Sequence, residues 1–155
     1  MSWDFVIVGE QSEGVPEIGF NMSSMGPVKR AMDGMGMLTH GLEAPFPDLE
    51  DFGVTWHQAC AVPRDRMTTA ALAFRAAYDA ALDWAAEEPT GIAEYKIGHG
   101  NDNWLVTPKE IRAALTTLAT RPSSAGAEAR AATPRWDELI DFLRRAKEHG
   151  GFRVE

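Results

Sequence analysis

The chain has 155 residues, of which 45% are hydrophobic and 25% are charged. A chain of this length and composition can bury one core, which excludes extensive disorder. Its 15 Lys and Arg residues against 23 Asp and Glu give a formal net charge of −8, so a nucleic-acid backbone is repelled unless basic residues gather on one face.

The N-terminal segment predicts a β-hairpin. Residues 3–8, WDFVIV, form a run of aromatic and β-branched side chains, and further along Ile18 and Phe20 alternate with small or polar residues. Both patterns are typical of strands. The GEQSEG segment between them predicts a six-residue turn, and Pro16 confines the second strand to an edge of the sheet.

A first helix is predicted to follow the hairpin. Ser23 or Ser24 can cap it, with Pro27 in its first turn, where the missing N–H has little effect. Gly34 and Gly36 predict its end, because glycine is unfavourable in a helix interior. The inward face of this helix is predicted to consist of Met25, Val28, Met32 and Met35.

Five of the seven methionines fall between Met22 and Met37. Methionine fills irregular gaps in a core, which is the interpretation we favour. A methionine cluster can also form an adaptable protein-binding surface or a soft-metal site, and both alternatives are kept open.

The longest uninterrupted periodic segment lies at 67–88. Its apolar residues recur at helical spacing, which predicts a helix that Asp65 caps and 89–91 ends. Because alanine occupies half of its apolar stripe, we expect it to lie across a sheet or between two helices, with the other elements packed against it. Before it, 41–53 predicts a surface loop and 54–62 either a short strand or a helical turn.

Residues 94–106, EYKIGHGNDNWLV, predict a second strand–loop–strand unit with GHGND as its turn. Its buried positions are predicted to be Tyr95, Ile97, Trp104 and Val106. The next boundary is a capping box, in which Thr107 is the N-cap and Glu110 the third helical residue, so that each satisfies a backbone N–H of the other. It predicts a helix over 108–120.

The C-terminal part predicts a linker, a helix and a strand. Residues 121–133 have no large apolar side chain and predict a mobile linker. Thr133 and Pro134 repeat the cap-then-proline pattern and predict a last helix over 135–148, ended by a left-handed glycine cap at 150–151. The alternating tail at 152–154 predicts one more strand.

Together these elements predict a single α+β domain over residues 1–155. Its sheet is small and mainly antiparallel, and it is formed by the N-terminal hairpin, the 94–106 unit and the C-terminal tail. Three to four helices are predicted to cover the sheet, among them those over 67–88, 108–120 and 135–148.

Histidine and cysteine form a second candidate metal-binding pattern and also a candidate nucleophilic pair. His57 and Cys60 have the spacing that lets two side chains reach one metal ion, and His40 and His99 could complete a tetrahedral set. A buried His–Cys packing pair is the interpretation we favour, because no second closely spaced pair is present. A Cys–His nucleophile is the remaining alternative. We predict no cofactor.

The loop at 98–103 and the start of the first helix are the candidate contact sites. Glycine, imidazole, amide and carboxylate groups gather in this loop, although the same residue types also form ordinary turns. At the helix start, Asn21 offers a cap or an anion contact. The candidate partner- or ligand-binding residues are Asn21, His99, Asn101, Asp102 and Trp104.

Three segments resemble small uncharacterised proteins of actinobacteria and their phages: the WDFVIV strand, the GFNMSSM turn into a helix, and the Tyr95–Trp104 loop before a capped helix. Those proteins tend to show an aromatic-Asn-Ser/Thr step before their first helix and a Tyr…Asn-Gly-Trp step before a late one. Here Phe20 and Asn21 precede Ser23, and Asn103 and Trp104 stand without the intervening glycine. The resemblance implies an origin in a high-GC phage or host and no known activity.

We therefore expect a non-catalytic binding protein of phage or mobile-element type, which acts on a protein partner or by self-association. The alternative is a small metal- or Cys/His-dependent enzyme that uses His57, Cys60 or His99. Acidic mimicry of nucleic acid is a third possibility. We expect no nucleic-acid partner, because the basic cluster at 144–147 complements a helix dipole.

A cytoplasmic location is expected from two features of the sequence. The single cysteine, Cys60, cannot form an internal disulfide, which favours a reducing compartment. The N-terminus MSWDFVIVGE has no basic region, and no apolar run reaches about 18 residues, so neither a signal peptide nor a membrane span is expected.

Overall fold

The computed structural model of the protein describes residues 2–9, 18–98 and 102–155. The chain divides into two compact units, one formed by Met1–Leu42 together with Ala85–Glu155 (unit 1) and the other by Glu43–Trp84 (unit 2). The prediction that residues 1–155 form a single domain stays a prediction. Among the described residues, no helix combines the length and the hydropathy that spanning a bilayer requires.

In chain order, the strands are β1 (Ser2–Ile7), β2 (Ile18–Asn21), β3 (Leu38–Thr39), β4 (Ile92–Ala93), β5 (Trp104–Val106) and β6 (Phe152–Val154). The α-helices are α1 (Met22–Gly34), α2 (Leu49–Phe52), α3 (Thr69–Leu82), α4 (Glu94–Gly98), α5 (Pro108–Ala119), α6 (Ser123–Ala132) and α7 (Trp136–Ala146). Two short turns, the π-helical His57–Ala61 and the 3₁₀ Arg64–Arg66, separate α2 from α3. Unit 2 contains α2, both turns and α3.

Strands β2, β1, β6 and β5 form, in that order, an antiparallel sheet. This confirms the predicted α+β fold with a small, mainly antiparallel sheet. The C-terminal tail supplies β6 as predicted, and it lies between β1 and β5, where Val154 is opposite both Phe5 and Trp104. Strands β3 and β4 pair in parallel as a separate two-stranded sheet. The predicted six-residue turn between β1 and β2 falls outside the described residues.

A cluster of phenylalanine rings forms the core against this sheet. The ring centroid of Phe5 lies 4.9 Å from that of Phe152 and 5.5 Å from that of Phe20. Phe142 of α7 reaches the same cluster, 5.3 Å from Phe152. All four rings are buried, and each contributes on the order of 1.5–3 kcal/mol by leaving water. Helix α7 therefore packs on the sheet, as predicted.

Helix α1 begins earlier than predicted, because Asn21 is its N-cap. The Asn21 Oδ1 accepts the Ser24 N–H at 3.0 Å, and the Ser24 Oγ accepts the Asn21 N–H at 3.0 Å. The prediction of a Ser23 or Ser24 cap was wrong: Ser24 is the reciprocal partner in the capping box. Pro27 therefore lies in the second turn, where the Ser23 carbonyl has no N–H to accept.

The methionines of this region confirm the interpretation as core filling. Met25, Met32, Met35 and Met37 are buried. Met22, in the first turn of α1, is the exception and is 69% exposed.

Residues 94–106 differ from the prediction in their first half. Glu94–Gly98 form α4, a short helix, where a strand was expected. Lys96 and Ile97 are adjacent and both buried, which a strand with alternating faces does not allow when only one face is covered. The second half forms β5 as predicted, with Trp104 and Val106 buried. Residues 99–101 of the predicted turn lie outside the described residues.

The capping box at the start of α5 is confirmed. The Glu110 N–H donates to the Thr107 Oγ1 at 3.3 Å, and the Thr107 N–H donates to the Glu110 Oε2 at 2.8 Å. Both backbone donors at this helix end are thus satisfied.

The same carboxylate forms a buried ion pair with Lys96. The Lys96 Nζ lies 2.9 Å from the Glu110 Oε2, and the two side chains are 0% and 2% exposed. Lys96 also donates to the Leu105 carbonyl at 2.8 Å, and the Glu110 Oε1 accepts the Ala93 N–H at 3.4 Å. These contacts join β4, α4, β5 and α5.

The prediction of an irregular linker at 121–133 is wrong, because Ser123–Ala132 form the helix α6. Its alanines favour a helix, and Ala129 is buried. Pro122 stands at the N-cap position without a side-chain hydrogen bond. The helix is thus held by small side chains and lacks a side-chain cap at its start.

Thr133 is not the cap of the last helix. Its N–H donates to the Ala129 carbonyl at 2.9 Å at the end of α6, and α7 starts at Trp136 without a side-chain cap. The glycine ending is confirmed in part: Gly151 has a φ of +84° and donates its N–H to the Ala146 carbonyl. A Cβ at Gly151 would meet the Val106 carbonyl oxygen at 2.0 Å, so only glycine fits.

Unit 2 has a core of its own around α3. The buried residues of this core are Val54, Ala59, Ala71 and Phe74. The helix predicted over 67–88 is shorter than expected: its N-cap is Thr68, not Asp65, and it ends at Leu82. Trp84 donates its N–H to the Ala81 carbonyl, three residues back, which tightens the last turn and stops the alanine-rich segment before 85–88.

We predict that breaking the Lys96–Glu110 pair strongly destabilises the protein. Lys96→Met leaves a buried carboxylate without its cation and should lower the free energy of unfolding by about 3–5 kcal/mol. Glu110→Gln should cost a similar amount, although glutamine also serves at the third position of a capping box. Urea unfolding measures both variants. The control is Lys109→Met, at an exposed position of α5, for which the expected change in unfolding free energy is within about 0.5 kcal/mol. Equal losses of stability in Lys96→Met and Lys109→Met would contradict the prediction.

We predict that Gly126→Ala stabilises α6. A Cβ at Gly126 would lie 3.6 Å from the Arg130 Nη1, which is ordinary contact, and alanine is favoured over glycine in a helix by up to about 1 kcal/mol. Hydrogen exchange of the α6 amides should slow by up to about fivefold. Ala127→Gly at the neighbouring exposed position should accelerate it, and unchanged exchange in both variants would show that α6 does not open separately.

Candidate functional site

The structure places Asn21 as a helix cap with every side-chain contact local. Its Oδ1 accepts the Ser23 hydroxyl at 2.7 Å and the Ser24 hydroxyl at 3.0 Å, besides the Ser24 N–H. The Ser24 N–H and both serine hydroxyls, which could bind an anion at this helix start, are therefore used by the asparagine itself. This geometry favours the plain cap over the anion contact.

An open groove of about 360 Å³ lies beside this helix start. Phe20, Val28 and Pro134 form part of its mainly apolar lining, and Arg135 stands at one side. The Arg135 guanidinium donates to the Gly19 carbonyl and to both Glu138 oxygens. Its charge is thus already paired, which again disfavours an anion.

The loop at 98–103 is described only in part. His99 and Asn101 lie outside the described residues, and Asp102 is exposed. Asn103 adopts a positive φ of 66°, with its N–H bonded to the Val154 carbonyl and its own carbonyl accepting from Arg153. Trp104 is 7% exposed and packs in β5, so its ring contributes to the core.

The histidine and cysteine candidates are distributed over both units. His57 is exposed, which makes the expected buried His–Cys pair wrong, while Cys60 packs against the unit 2 core. The His40 Nε2 lies 2.7 Å from the Asp33 Oδ1 at the end of α1. Within the described ranges, no three His, Cys, Asp or Glu side chains are arranged to hold a metal ion. His99 is not among the described residues.

The basic cluster at 144–147 forms local ion pairs. Arg144 lies 2.9 Å from Asp141, and Lys147 lies 3.4 Å from Glu148. Both cations are near the C-terminus of α7, where positive charge also favours the helix dipole.

The helical-turn alternative predicted for 54–62 is confirmed by a turn at residues 55–61, which we call the Trp56 turn, but its capping box and its exposed ring were not predicted. Thr55 and Gln58 form a capping box at its start: the Gln58 Oε1 accepts the Thr55 N–H at 2.8 Å, and the Gln58 N–H donates to the Thr55 Oγ1 at 3.3 Å. The Ala59 N–H then closes the first turn on the Thr55 carbonyl at 3.0 Å. The T-x-x-Q spacing is the local signal that could have revealed this capping box.

The Trp56 turn holds one side of the segment in the core and presents the other to solvent. Ala59 is fully buried and Cys60 packs beside it, whereas Trp56, His57 and Gln58 are exposed. The turn continues as a π-helical segment, and π-helical turns are frequent at functional sites. A large aromatic ring is therefore displayed on a hydrogen-bonded support.

Trp56 differs from the other tryptophans of the chain. Trp3, Trp104 and Trp136 are buried and Trp84 is half-buried, but Trp56 is 61% exposed. Burying a tryptophan side chain contributes more favourable free energy than burying most other side chains, and tryptophan is enriched where proteins bind one another.

No protein-family model, curated protein or solved structure matches the chain.

Tyr95 is half-buried, with its hydroxyl enclosed, close to the Lys96–Glu110 pair. Its ring packs edge-on against Trp104, with 4.9 Å between centroids, and its hydroxyl has no hydrogen-bond partner among the described residues. Burial, and secondarily the negative charge of Glu110, raises the pKa of Tyr95 to about 12. The ionised phenolate is thus disfavoured in the folded protein.

We predict an alkaline loss of stability that depends on Tyr95. A tyrosine in the unfolded chain has a pKa of about 10, so its stabilising effect is complete below about pH 10 and is lost as the pH rises to about 12, because only the unfolded chain then releases the proton. Tyr95→Phe should therefore reduce the fall in unfolding free energy across this range. Urea unfolding at several pH values measures it, and an unchanged slope would refute the assignment. Tyr78→Phe is the matched control.

Proposed function

We propose that the protein is a non-catalytic binding protein that recognises a protein partner through the Trp56 turn. The observation that carries this proposal is the 61% exposure of Trp56 on a turn fixed by the Thr55–Gln58 capping box. Because the backbone of the turn is already ordered, a partner that covers the ring pays little entropy for ordering it. The ring supplies the apolar centre of the contact.

The polar neighbours of Trp56 also support a role in binding a protein partner. His57 and Gln58 are exposed next to it, and an apolar anchor within a polar rim is the usual anatomy of a protein–protein contact. Cys60, the candidate nucleophile of the enzymatic alternative, packs its side chain against the unit 2 core. The local arrangement therefore favours recognition over catalysis.

We further propose that the partner is a host protein of a high-GC bacterium and that the protein is of phage or mobile-element type. The support is the resemblance of three segments, around residues 3–8, 19–25 and 95–104, to small proteins of actinobacteria and their phages. We place the contact in the cytoplasm, and the single cysteine supports a reducing compartment.

We predict that Trp56→Ala abolishes tight partner binding. Immobilised full-length protein is used to capture proteins from an actinobacterial lysate, and a captured protein is then purified for calorimetric titration. Loss of a tryptophan anchor costs at least about 2 kcal/mol, so the Kd should rise by at least about 30-fold. Trp56→Phe should have a smaller effect, because it keeps an aromatic ring.

Met22→Ala is the matched control for this experiment. Met22 is 69% exposed in unit 1, so its removal changes exposed apolar surface to a similar degree without altering the Trp56 turn. Its Kd should equal that of the native protein. Two outcomes would contradict the proposed function. In one, the partner binds Trp56→Ala as tightly as the native protein; in the other, the lysate yields no protein that is captured by the native chain but not by Trp56→Ala.

A further inference from the structure

The exposed positions within α3, from Thr69 to Leu82, carry no charged residue. They lie opposite the face that carries Ala71 and Phe74 into the unit 2 core. On most surface helices this outer side carries charged residues. The exposed residues of α3 and of its C-cap, which we call the outer face, are Thr69, Leu72, Ala73, Ala76, Ala80 and Asp83.

Another helix of the same chain shows the usual pattern. Every exposed position of α7 is charged, and these positions are Asp137, Glu138, Asp141 and Arg144. Helix α3 instead exposes Leu72, at 41%, in a row of alanines. A helix that is apolar on both sides is normally covered on both sides.

We propose that the outer face of α3 is the contact between two copies of this chain, which pair their α3 helices in antiparallel orientation about a two-fold axis at Ala76. A two-fold contact uses the same patch on both copies, so each contact occurs twice. With the axis at the middle of the face, Leu72 of one copy lies against Ala80 of the other. A large side chain thus meets a small one, and the alanines allow the helix backbones to approach closely.

The charges beside the outer face are complementary in this arrangement. Arg75 and Asp79 lie on one flank of α3, 3.5 Å apart, and Asp79 also pairs with Arg64. In an antiparallel two-fold pair this flank of both copies falls on the same side. Given a rise of about 1.5 Å per residue, Arg75 of one copy comes within about 3 Å, along the axis, of Asp79 of the other.

The antiparallel orientation is also favoured at the helix ends. Asp83 at the C-cap of one copy would lie beside Thr69, the first residue of α3, in the other. A carboxylate near a helix N-terminus is stabilised by the helix dipole. A parallel pair would instead place each Asp83 beside its own counterpart and the two Arg75–Asp79 flanks on opposite sides.

Sedimentation of the full-length protein tests this proposal. A contact of one helix per copy is smaller than a standard interface, so the concentration series extends to about 1 mM, and a reversible dimer is expected. Ala76→Glu places two carboxylates face to face on the axis and should weaken the dimer by at least about 100-fold. The control is Ala127→Glu, the same change at an exposed position of α6, which should leave the dimer unchanged. A native protein that stays monomeric, or equal effects of the two variants, would overturn the proposal.

A charge swap tests the orientation without relying on the loss of a contact. Arg75→Glu should weaken the dimer by about tenfold, because two cross-pairs are lost. Adding Asp79→Arg restores opposite charges across the axis and should recover most of the affinity. No recovery would refute the antiparallel pair. Trp56→Ala should leave the dimer intact, so failure of the partner-binding proposal is distinguishable from failure of this one.

Discussion

The ammonium of Lys96 is fully enclosed in unit 1, and the elements around it are placed so that this charge is satisfied. The carboxylate of Glu110 approaches from the first turn of α5, and the carbonyl of Leu105 approaches from β5. Removing an ion from water costs several kcal/mol unless partners replace the solvent. A shift of α4 or α5 would leave a buried charge uncompensated, so the pair disfavours other placements of these two helices. Glu110 also serves as the capping residue of α5, so the start of that helix and the burial of the lysine depend on the same side chain.

The parts of the fold that the sequence predicts correctly are those set by local rules. The T-P-x-E box at Thr107 specifies a helix start through two hydrogen bonds within four residues, and the alternating tail at 152–154 specifies a strand. Lys96 could not be predicted to be buried, because a lysine is normally solvated and its partner lies fourteen residues away. Because Lys96 and its neighbour Ile97 are both buried, residues 94–98 form α4 and not the predicted strand. At the start of α1 the capping rule was right, but it was applied to Ser23 or Ser24, and Asn21, which was considered only as an alternative cap, is the N-cap.

Helix α6 shows the limit of predicting structure from apolar residues. Residues 121–133 contain no large side chain that would anchor a helix, so composition predicts a linker. Alanine nevertheless favours a helix, and burial of the single Ala129 against α1 accompanies it. At the candidate site, the sequence shows the local hydrogen-bonding pattern but not which side chains are exposed. The T-x-x-Q spacing at Thr55 is visible in the sequence, but the exposure of Trp56 follows from which residues of the turn enter the core.

Unit 2 provides the physical reason to expect association on its surface. It contains 42 residues, close to the size of about 40 below which a domain usually requires disulfides, metals or oligomerisation to be stable. Its one cysteine is free, and its core has four buried residues, Val54, Ala59, Ala71 and Phe74, against which partly buried hydrophobic residues pack. Meanwhile it exposes three large apolar side chains, Phe46, Trp56 and Leu72. Further burial of apolar surface, by a second copy on α3 and a partner on the Trp56 turn, would add to the stabilisation that this small core provides.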